Sequence, residues 1–264
     1  MTWLDAAPAG IATIGLLALP TWAVSVWRED VSLVDRMWPI FIASAAATYA
    51  VLLPVESVRG IWMLALVGLW ALRLCAYITL RNWGRGEDRR YQAIRARNQP
   101  HFALKSLVLV FGLQSVLAWI VAAPFLVGLA ATRPIGAFDI AGIALAGFGI
   151  ACETIADAQM ARFKSDPAHA GQVMDRGLWR NSRHPNYFGE ACTWWGIWLI
   201  AIGGAGLAGA WTLVSPVLMT VLLLKVSGVS LLEQDLGERR PAYRDYIART
   251  PAFVPGPRRQ PQSR

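Results

Sequence analysis

The stretch GIWMLALVGLWALRLCAYITL, which occupies residues 60–80, decides the fold of this chain. It carries one charged side chain, that of Arg73. A helix of about 20 predominantly apolar residues crosses the hydrocarbon core of a bilayer. The stretch therefore predicts a transmembrane helix.

Six more stretches on either side of it have comparable length and character. Pro54, Gly60 and Pro134 mark boundaries between them, and the glycine-rich run at 203–209 separates the last two. The predicted spans lie near 8–27, 37–54, 60–80, 105–130, 138–161, 187–205 and 209–231. We therefore expect an all-α polytopic membrane protein, a bundle of seven transmembrane helices over residues 1–255. The remainder, 256–264, is rich in Pro, Gln and Arg and predicts a disordered basic tail.

The composition favours the same class. Hydrophobic residues make up 55% of the 264 residues and charged residues 16%, with a mean hydropathy of +0.40, whereas soluble domains carry about 25% charged residues. Several of the 13 tryptophans, including Trp22 and Trp38, lie near the ends of apolar runs and are expected at the membrane interface. The three cysteines have neither metal-ligand nor disulfide spacing, so no metal site is predicted.

The distribution of basic residues predicts the orientation. Of the 25 lysines and arginines, 21 fall in alternate connections or in the C-terminal segment, on one predicted side of the membrane. The opposite connections keep only Arg59 and Arg133. The positive-inside rule then places the N-terminus outside and the C-terminus in the cytoplasm. The net charge of +8 is explained by this topology, and no nucleic-acid partner is expected.

Charged side chains inside a span need a partner or a purpose. In the third span Trp70, Arg73 and Tyr77 follow one another at helical-turn spacing and share one face. Asp35 lies at the cytoplasmic end of the second span, where it is either a helix cap or a catalytic acid. Glu153 is one turn before Asp157 in the fifth span, a pair that forms either an ion network or a ligand site.

The densest polar cluster is GLWRNSRHPNYFGE at 177–190, directly before and within the sixth span. Pro185 can open that helix, after which Asn186 and Glu190 share a face that continues to Trp194. Basic residues crowd the positive N-terminal end of the helix, which predicts an anion site beside a stacking surface, suited to phosphates and a flat heterocycle. The alternative is a basic belt for lipid headgroups.

These residues resemble the DUF1295 and steroid 5α-reductase group of membrane reductases, which is related more distantly to the sterol C14-reductases. The likeness rests on RHPNYFGE at 183–190, WWGIW at 194–198 and the spaced Glu, Tyr and Thr-Pro residues of 233–253, and it covers most of 30–255. It implies a seven-helix reductase domain that binds NADPH from the cytoplasmic side and admits a lipophilic enone from the bilayer. The implied reaction reduces a conjugated C=C bond, as in a Δ4-3-oxosteroid that becomes its 5α-dihydro product.

The resemblance also assigns residues. The implied cofactor-binding set is Asp157, Arg162, Lys164, Trp179, Arg183, His184, Asn186, Tyr187, Glu190, Glu233, Arg240 and Tyr243. Asp35 would be a protonated acid in an apolar cavity, with Tyr77 and Arg73 as catalytic partners, because Trp70 stands where the family has a tyrosine. The implied substrate-binding set is Asp35, Trp70, Tyr77, Glu190 and Trp194.

Two rival functions stay open. A membrane methyltransferase of the isoprenylcysteine or phospholipid type uses a similar Arg-His-Pro stretch, with S-adenosylmethionine as its cofactor. A lipid-binding or transport protein is the rival outside the enzymes, although a transporter would place its charges near the bilayer midplane. The expected location is a multi-pass protein of the membrane, the inner membrane in a bacterium, with the active site open to the cytoplasm. Expected partners are membrane lipids and the substrate, and a monomer suffices.

Overall fold

The computed structural model describes residues 2–53, 57–226 and 241–258, and these are helices joined by turns and loops, with no strand among them. The chain divides into two compact units. Unit 1 comprises Met1–Ile140 and Ile197–Ser215, and unit 2 comprises Ala141–Gly196 and Pro216–Arg264.

The helices follow the predicted apolar stretches closely. Local signals explain several starts: Thr2 and Asp5 form a reciprocal capping box on the first helix, and the Ser57 side chain accepts from the Gly60 amide at the third. The helices are α1 Trp3–Trp27, α2 Leu33–Leu52, α3 Val58–Arg81, α4 Arg89–Arg97, α5 Phe102–Ser106, α6 Leu113–Val121, α7 Ala123–Gly128, α8 Ala137–Ser165, α9 Pro185–Ala205, α10 Val214–Val221 and α11 Pro241–Arg249.

Five helical stretches of the described residues are long and apolar enough to cross a membrane, which confirms the membrane class. They are Trp3–Trp27, Val58–Arg81, Phe102–Gly128, Ala137–Ser165 and Pro185–Lys225. The stretch Phe102–Gly128 contains a π-helical segment, Leu107–Gly112, between α5 and α6. The 20-residue α2, which begins with polar Asp35 and Arg36 in its first turn, is not among the five. The count of seven spans and the orientation therefore stay predictions.

The stretch Pro185–Lys225 is interrupted where the sequence predicted a boundary. As one straight helix its 41 residues would measure roughly 60 Å, about twice the thickness of the hydrocarbon core. Helix α9 ends at Ala205, and Gly206 has a φ of +63°, a conformation that L side chains avoid. A 3₁₀ segment, Gly206–Leu213, then leads to α10. The glycine-rich run thus breaks the helix at the predicted place.

Within unit 1, α2 packs against α1 and α3, and α6 packs against α1 and α2. Indole hydrogen bonds add to this packing. Nε1 of Trp22 donates to the Ala103 carbonyl at 3.0 Å, and Nε1 of Trp38 donates to the Gln114 carbonyl at 3.2 Å. The two tryptophans expected as interface anchors therefore also join helices.

A fully buried ion pair joins the start of α3 to the start of α8. Nε of Arg59 donates to Oδ1 of Asp139 at 2.6 Å, and Nη2 donates to Oδ2 at 3.1 Å, with both side chains completely buried. The remaining guanidinium hydrogens reach backbone carbonyls of Ala131, Arg133 and Pro134. Arg59, which the sequence analysis placed in a connection between spans, is thus a buried residue that links two helices of unit 1.

Candidate functional site

Helices α8 and α9 touch backbone to backbone in unit 2. A Cβ atom on Gly189 would lie 2.7 Å from both the Gly149 carbonyl oxygen and the Glu153 amide nitrogen. A Cβ atom on Gly196 would lie 2.5 Å from the Ala146 amide nitrogen. Only glycine permits this approach. It sets the polar residues of α8 directly beside the first turns of α9.

The close approach places the two predicted polar pairs side by side. Nδ2 of Asn186 donates to Oδ1 of Asp157 at 3.2 Å. Glu153, Asp157 and Glu190 are buried, and each has interaction partners. Within the described part of the chain, Oδ1 of Asn186 is buried and accepts no hydrogen bond. A buried acceptor without a hydrogen-bond donor costs free energy. Oδ1 of Asn186 is therefore a candidate contact for a donor group of a ligand.

The loop before α9 is fixed against α8. Nε1 of Trp179 donates to the Ala156 carbonyl at 3.0 Å, and the Leu178 amide donates to Oε1 of Gln159 at 3.0 Å. Gly177 has a φ of +57°, and a Cβ there would lie 2.5 Å from Nε2 of Gln159. Trp179, assigned to the cofactor by resemblance, is 8% exposed and packs into unit 2.

The C-terminal segment holds the other side of the same loop. The Arg183 amide donates to the Pro251 carbonyl at 2.9 Å, and its Nη1 donates to the carbonyls of Ile247 and Thr250 at 2.7 and 3.1 Å. The Ser182 hydroxyl donates to the Phe253 carbonyl at 2.8 Å. These contacts make Arg183 a clamp on the end of α11. Its assignment to the nucleotide stays a prediction.

The packed part of the chain extends beyond the point where the sequence predicted a disordered tail. The Gly256 amide donates to the Asn181 carbonyl at 3.0 Å, and Nη2 of Arg258 donates to Oδ2 of Asp175 at 3.0 Å. The packed segment therefore continues to Arg258, beyond the predicted limit at residue 255. The rest of the predicted tail lies outside the described residues.

Several of the predicted aromatic and basic groups lie at the start of α9, on α11 and at the end of α8. The His184 and Tyr187 rings stack with centroids 5.4 Å apart and an interplanar angle of 3°. Tyr243 of α11 is half-buried and meets Tyr246 edge to face at 5.5 Å. Arg162 and Lys164 are exposed on the last turn of α8. The predicted cofactor residues Glu233 and Arg240 lie outside the described residues.

A second polar cluster lies in unit 1 around Asp35. Its Oδ1 accepts from the Tyr91 hydroxyl at 2.6 Å, and its Oδ2 accepts from Nη2 of Arg90 at 2.9 Å. Both partners belong to α4, whose first amide groups are capped by Asp88. Asp35 therefore does not lie among apolar walls as expected, because a guanidinium and a phenol contact its two carboxylate oxygens. Its protonation stays a prediction.

Tyr91 is the functional candidate that the sequence reasoning missed. Burial and the neighbouring Asp35 carboxylate raise the pKa of the Tyr91 phenol well above its ordinary range. The phenol therefore stays a neutral hydrogen-bond donor at physiological pH. No local pattern indicated it, because Tyr91 is 56 positions from Asp35 and lies in a short polar helix between two spans.

The predicted face of α3 is present in unit 1. Trp70 is completely buried, whereas Arg73 and Tyr77 are half-buried, and all three have interaction partners. The guanidinium of Arg81 lies over the Tyr77 ring, 5.6 Å from its centroid. In unit 2, Trp194 is completely buried on α9. No set of three or more His, Cys, Asp or Glu among the described residues can hold a metal ion.

The apolar helices and the polar clusters at their ends define an α-helical membrane protein with two polar sites. The chain belongs to the DUF1295 family, a protein family of unknown function, whose model matches residues 21–250. A Schizosaccharomyces pombe protein, itself described as uncharacterized, is 28% identical over 274 aligned positions, covering 93% of this chain and 78% of the yeast protein. No solved structure matches the chain significantly.

Proposed function

We propose that this protein is an NADPH-dependent reductase of the conjugated C=C bond of a lipophilic enone, with a Δ4-3-oxosteroid as the first substrate class to test. The observation that carries the proposal is the α8–α9 cluster, which includes the stacked His184 and Tyr187 rings. In this cluster no group among the described residues donates to the buried Oδ1 of Asn186. The resemblance of the 183–190 motif to the steroid 5α-reductase group supports the choice of reaction.

The unit 2 residues fit the polar parts of NADPH. The nicotinamide carboxamide offers N–H donors, and Oδ1 of Asn186 can accept one, since it accepts no hydrogen bond from the residues that the structure describes. Carboxylates such as Glu153 and Asp157 accept from ribose hydroxyls, and the exposed cations Arg162 and Lys164 suit phosphates. Arg183, occupied by the carbonyls of Ile247 and Thr250, positions the loop. When bound, NADPH supplies the hydride.

We assign the substrate carbonyl to Asp35 and the groups that contact it, as the resemblance implies. Reduction adds a hydride at the β carbon of the enone and a proton at the α carbon, and negative charge develops on the carbonyl oxygen meanwhile. A donor aimed at that oxygen lowers the barrier. The Tyr91 hydroxyl donates its one hydrogen to Asp35, so we assign Tyr91 as the donor with Asp35 protonated. The Asp35 acid then donates to the phenol oxygen, and the phenol hydrogen turns to the substrate carbonyl. Solvent restores any proton that the phenol gives up. Arg73 and Tyr77 remain candidates to line the substrate.

Replacing Asn186 with alanine is expected to weaken NADPH binding by about tenfold or more, because a hydrogen bond within a polar network is worth about 1–2 kcal/mol. Isothermal titration of the purified protein checks this. Asn181→Ala is the matched control, since Asn181 is exposed in the same motif and its variant should bind as wild type. Equal affinity of the Asn186 variant and wild type would contradict the cofactor assignment.

Tyr91→Phe is expected to lower kcat for enone reduction by 100-fold or more, the usual contribution of a positioned acid, with NADPH affinity unchanged. NADPH oxidation in the presence of testosterone or progesterone measures this. Tyr77→Phe provides the comparison. If Tyr77→Phe is the inactive variant and Tyr91→Phe retains full turnover, the donor is Tyr77 and our assignment of Tyr91 fails.

The alternative function, a membrane methyltransferase, predicts binding of S-adenosylmethionine in place of NADPH. Buried carboxylates that accept from a ribose can also serve S-adenosylmethionine, which has no phosphates. Thermal stabilisation by NADPH but not by S-adenosylmethionine is expected. Stabilisation by the methyl donor alone would replace the reductase proposal with the methyltransferase.

A further inference from the structure

A groove of about 360 Å³ runs between α1, α2 and α3 in unit 1. Its walls are largely apolar and include Val24 of α1 with Leu33 and Met37 of α2. Arg36 of α2 and Thr79 of α3 contribute polar groups to its lining. None of these residues belongs to either polar site described above.

Arg36 brings a poorly satisfied cation into this groove. Its side chain is 15% exposed, and its Nη2 lies 3.5 Å from Oδ2 of Asp30, longer than an ordinary charged hydrogen bond. Across the described residues, the buried Nε of Arg36 finds no acceptor. A nearly buried guanidinium normally binds an oxyanion or several carbonyls. The groove therefore offers strong donors to an acceptor from outside the chain.

Two exposed tryptophans indicate that the groove lies close to the lipid headgroups. Trp27 and Trp83 are 81% and 75% exposed, and they lie about one turn beyond Val24 of α1 and Thr79 of α3. Indole rings favour the membrane interface. The groove thus begins about one helical turn on the hydrocarbon side of that interface, on two helices apolar enough to cross a membrane.

We propose that this groove is a phospholipid-binding site, in which an acyl chain lies against Val24, Leu33 and Met37 and the phosphodiester accepts hydrogen bonds from the Arg36 guanidinium. The charge of the phosphodiester complements the cation, and the apolar walls suit an acyl chain better than a soluble phosphate. This site is independent of the proposed reductase activity, because none of its residues is assigned to NADPH or to the enone.

Native mass spectrometry of the detergent-purified full chain, titrated with dioleoylphosphatidylglycerol, tests the site. Wild type is expected to retain one tightly bound lipid. Arg36→Ala should weaken that binding by about tenfold, the value of a charged hydrogen bond. Arg28→Ala removes the same charge from an exposed position outside the groove, and should stay within about twofold of wild type.

A second variant keeps the test decisive if Arg36→Ala does not fold. Val24 is 44% exposed, so Val24→Trp fills the open side of the groove while disturbing little packing, and should also weaken lipid binding. Dioleoylglycerol, which lacks the phosphate, and glycerophosphate, which lacks the chains, should both bind at least tenfold more weakly. Unchanged binding in Val24→Trp, equal losses in Arg28→Ala and Arg36→Ala, or tight binding of dioleoylglycerol would each overturn the proposal.

Discussion

Replacing Gly149 with alanine is expected to lower the melting temperature of the protein and to abolish measurable NADPH binding. The new Cβ would overlap the Gly189 carbonyl oxygen and lie 2.5 Å from the Thr193 amide nitrogen. Both are backbone atoms of α9, so the helices must separate to make room. Overpacking of this kind typically costs about 1–3 kcal/mol and sometimes more. Separation would also move Asp157 away from Asn186.

The control lies two residues earlier on the same helix. Gly147 is exposed, and a Cβ there meets nothing within 4 Å. Because alanine favours a helix over glycine by about 1 kcal/mol, Gly147→Ala should leave the melting temperature equal or higher. Differential scanning fluorimetry and NADPH titration of both variants measure the contrast. A Gly149→Ala protein that melts and binds like Gly147→Ala would show that the α8–α9 contact does not form the site.

The second large effect is expected from Asp139→Asn in unit 1. Asp139 is completely buried and pairs with the completely buried Arg59. Loss of one partner leaves an uncompensated buried charge, which costs about 3–5 kcal/mol. We therefore expect a large fall in melting temperature. Asp175→Asn, in partly exposed ion pairs with Arg249 and Arg258, should cost much less, about 1 kcal/mol.

A double-mutant cycle separates the pair from its surroundings. Arg59→Met combined with Asp139→Leu removes both charges, and should be less destabilising than the sum of the single variants, because neither charge is left alone. Rescue should stay partial, since Arg59 also serves the carbonyls of Ala131, Arg133 and Pro134. Strict additivity of the two substitutions would contradict a direct energetic coupling.

Hydropathy alone located most of the helices. The predicted span 60–80 is Val58–Arg81, and 138–161 is Ala137–Ser165, because length and apolar composition are properties of each segment by itself. The glycine-rich boundary at 203–209 was also predictable, since glycine tolerates the positive φ found at Gly206.

Contacts between segments that are distant in the chain could not be predicted from the sequence. Arg59 was counted as a charge in a connection, but its partner Asp139 is 80 positions away. Tyr91 lies beside Asp35 because α4 folds onto the start of α2, whereas the assignment of Tyr77 stays a prediction. In unit 2, the motif drew attention to Asn186, whereas the contact of Asn186 with Asp157 depends on the glycines that let α8 and α9 meet.

The clamp on the 177–184 loop has a consequence for biosynthesis. Ser182 binds a carbonyl 71 positions later in the chain, and Arg183 binds a carbonyl 67 positions later. A ribosome delivers these partners only after α9 and α10 have been translated. The loop before α9 therefore lacks these hydrogen bonds until α11 and the segment after it have been synthesised, so this part of unit 2 completes its packing last.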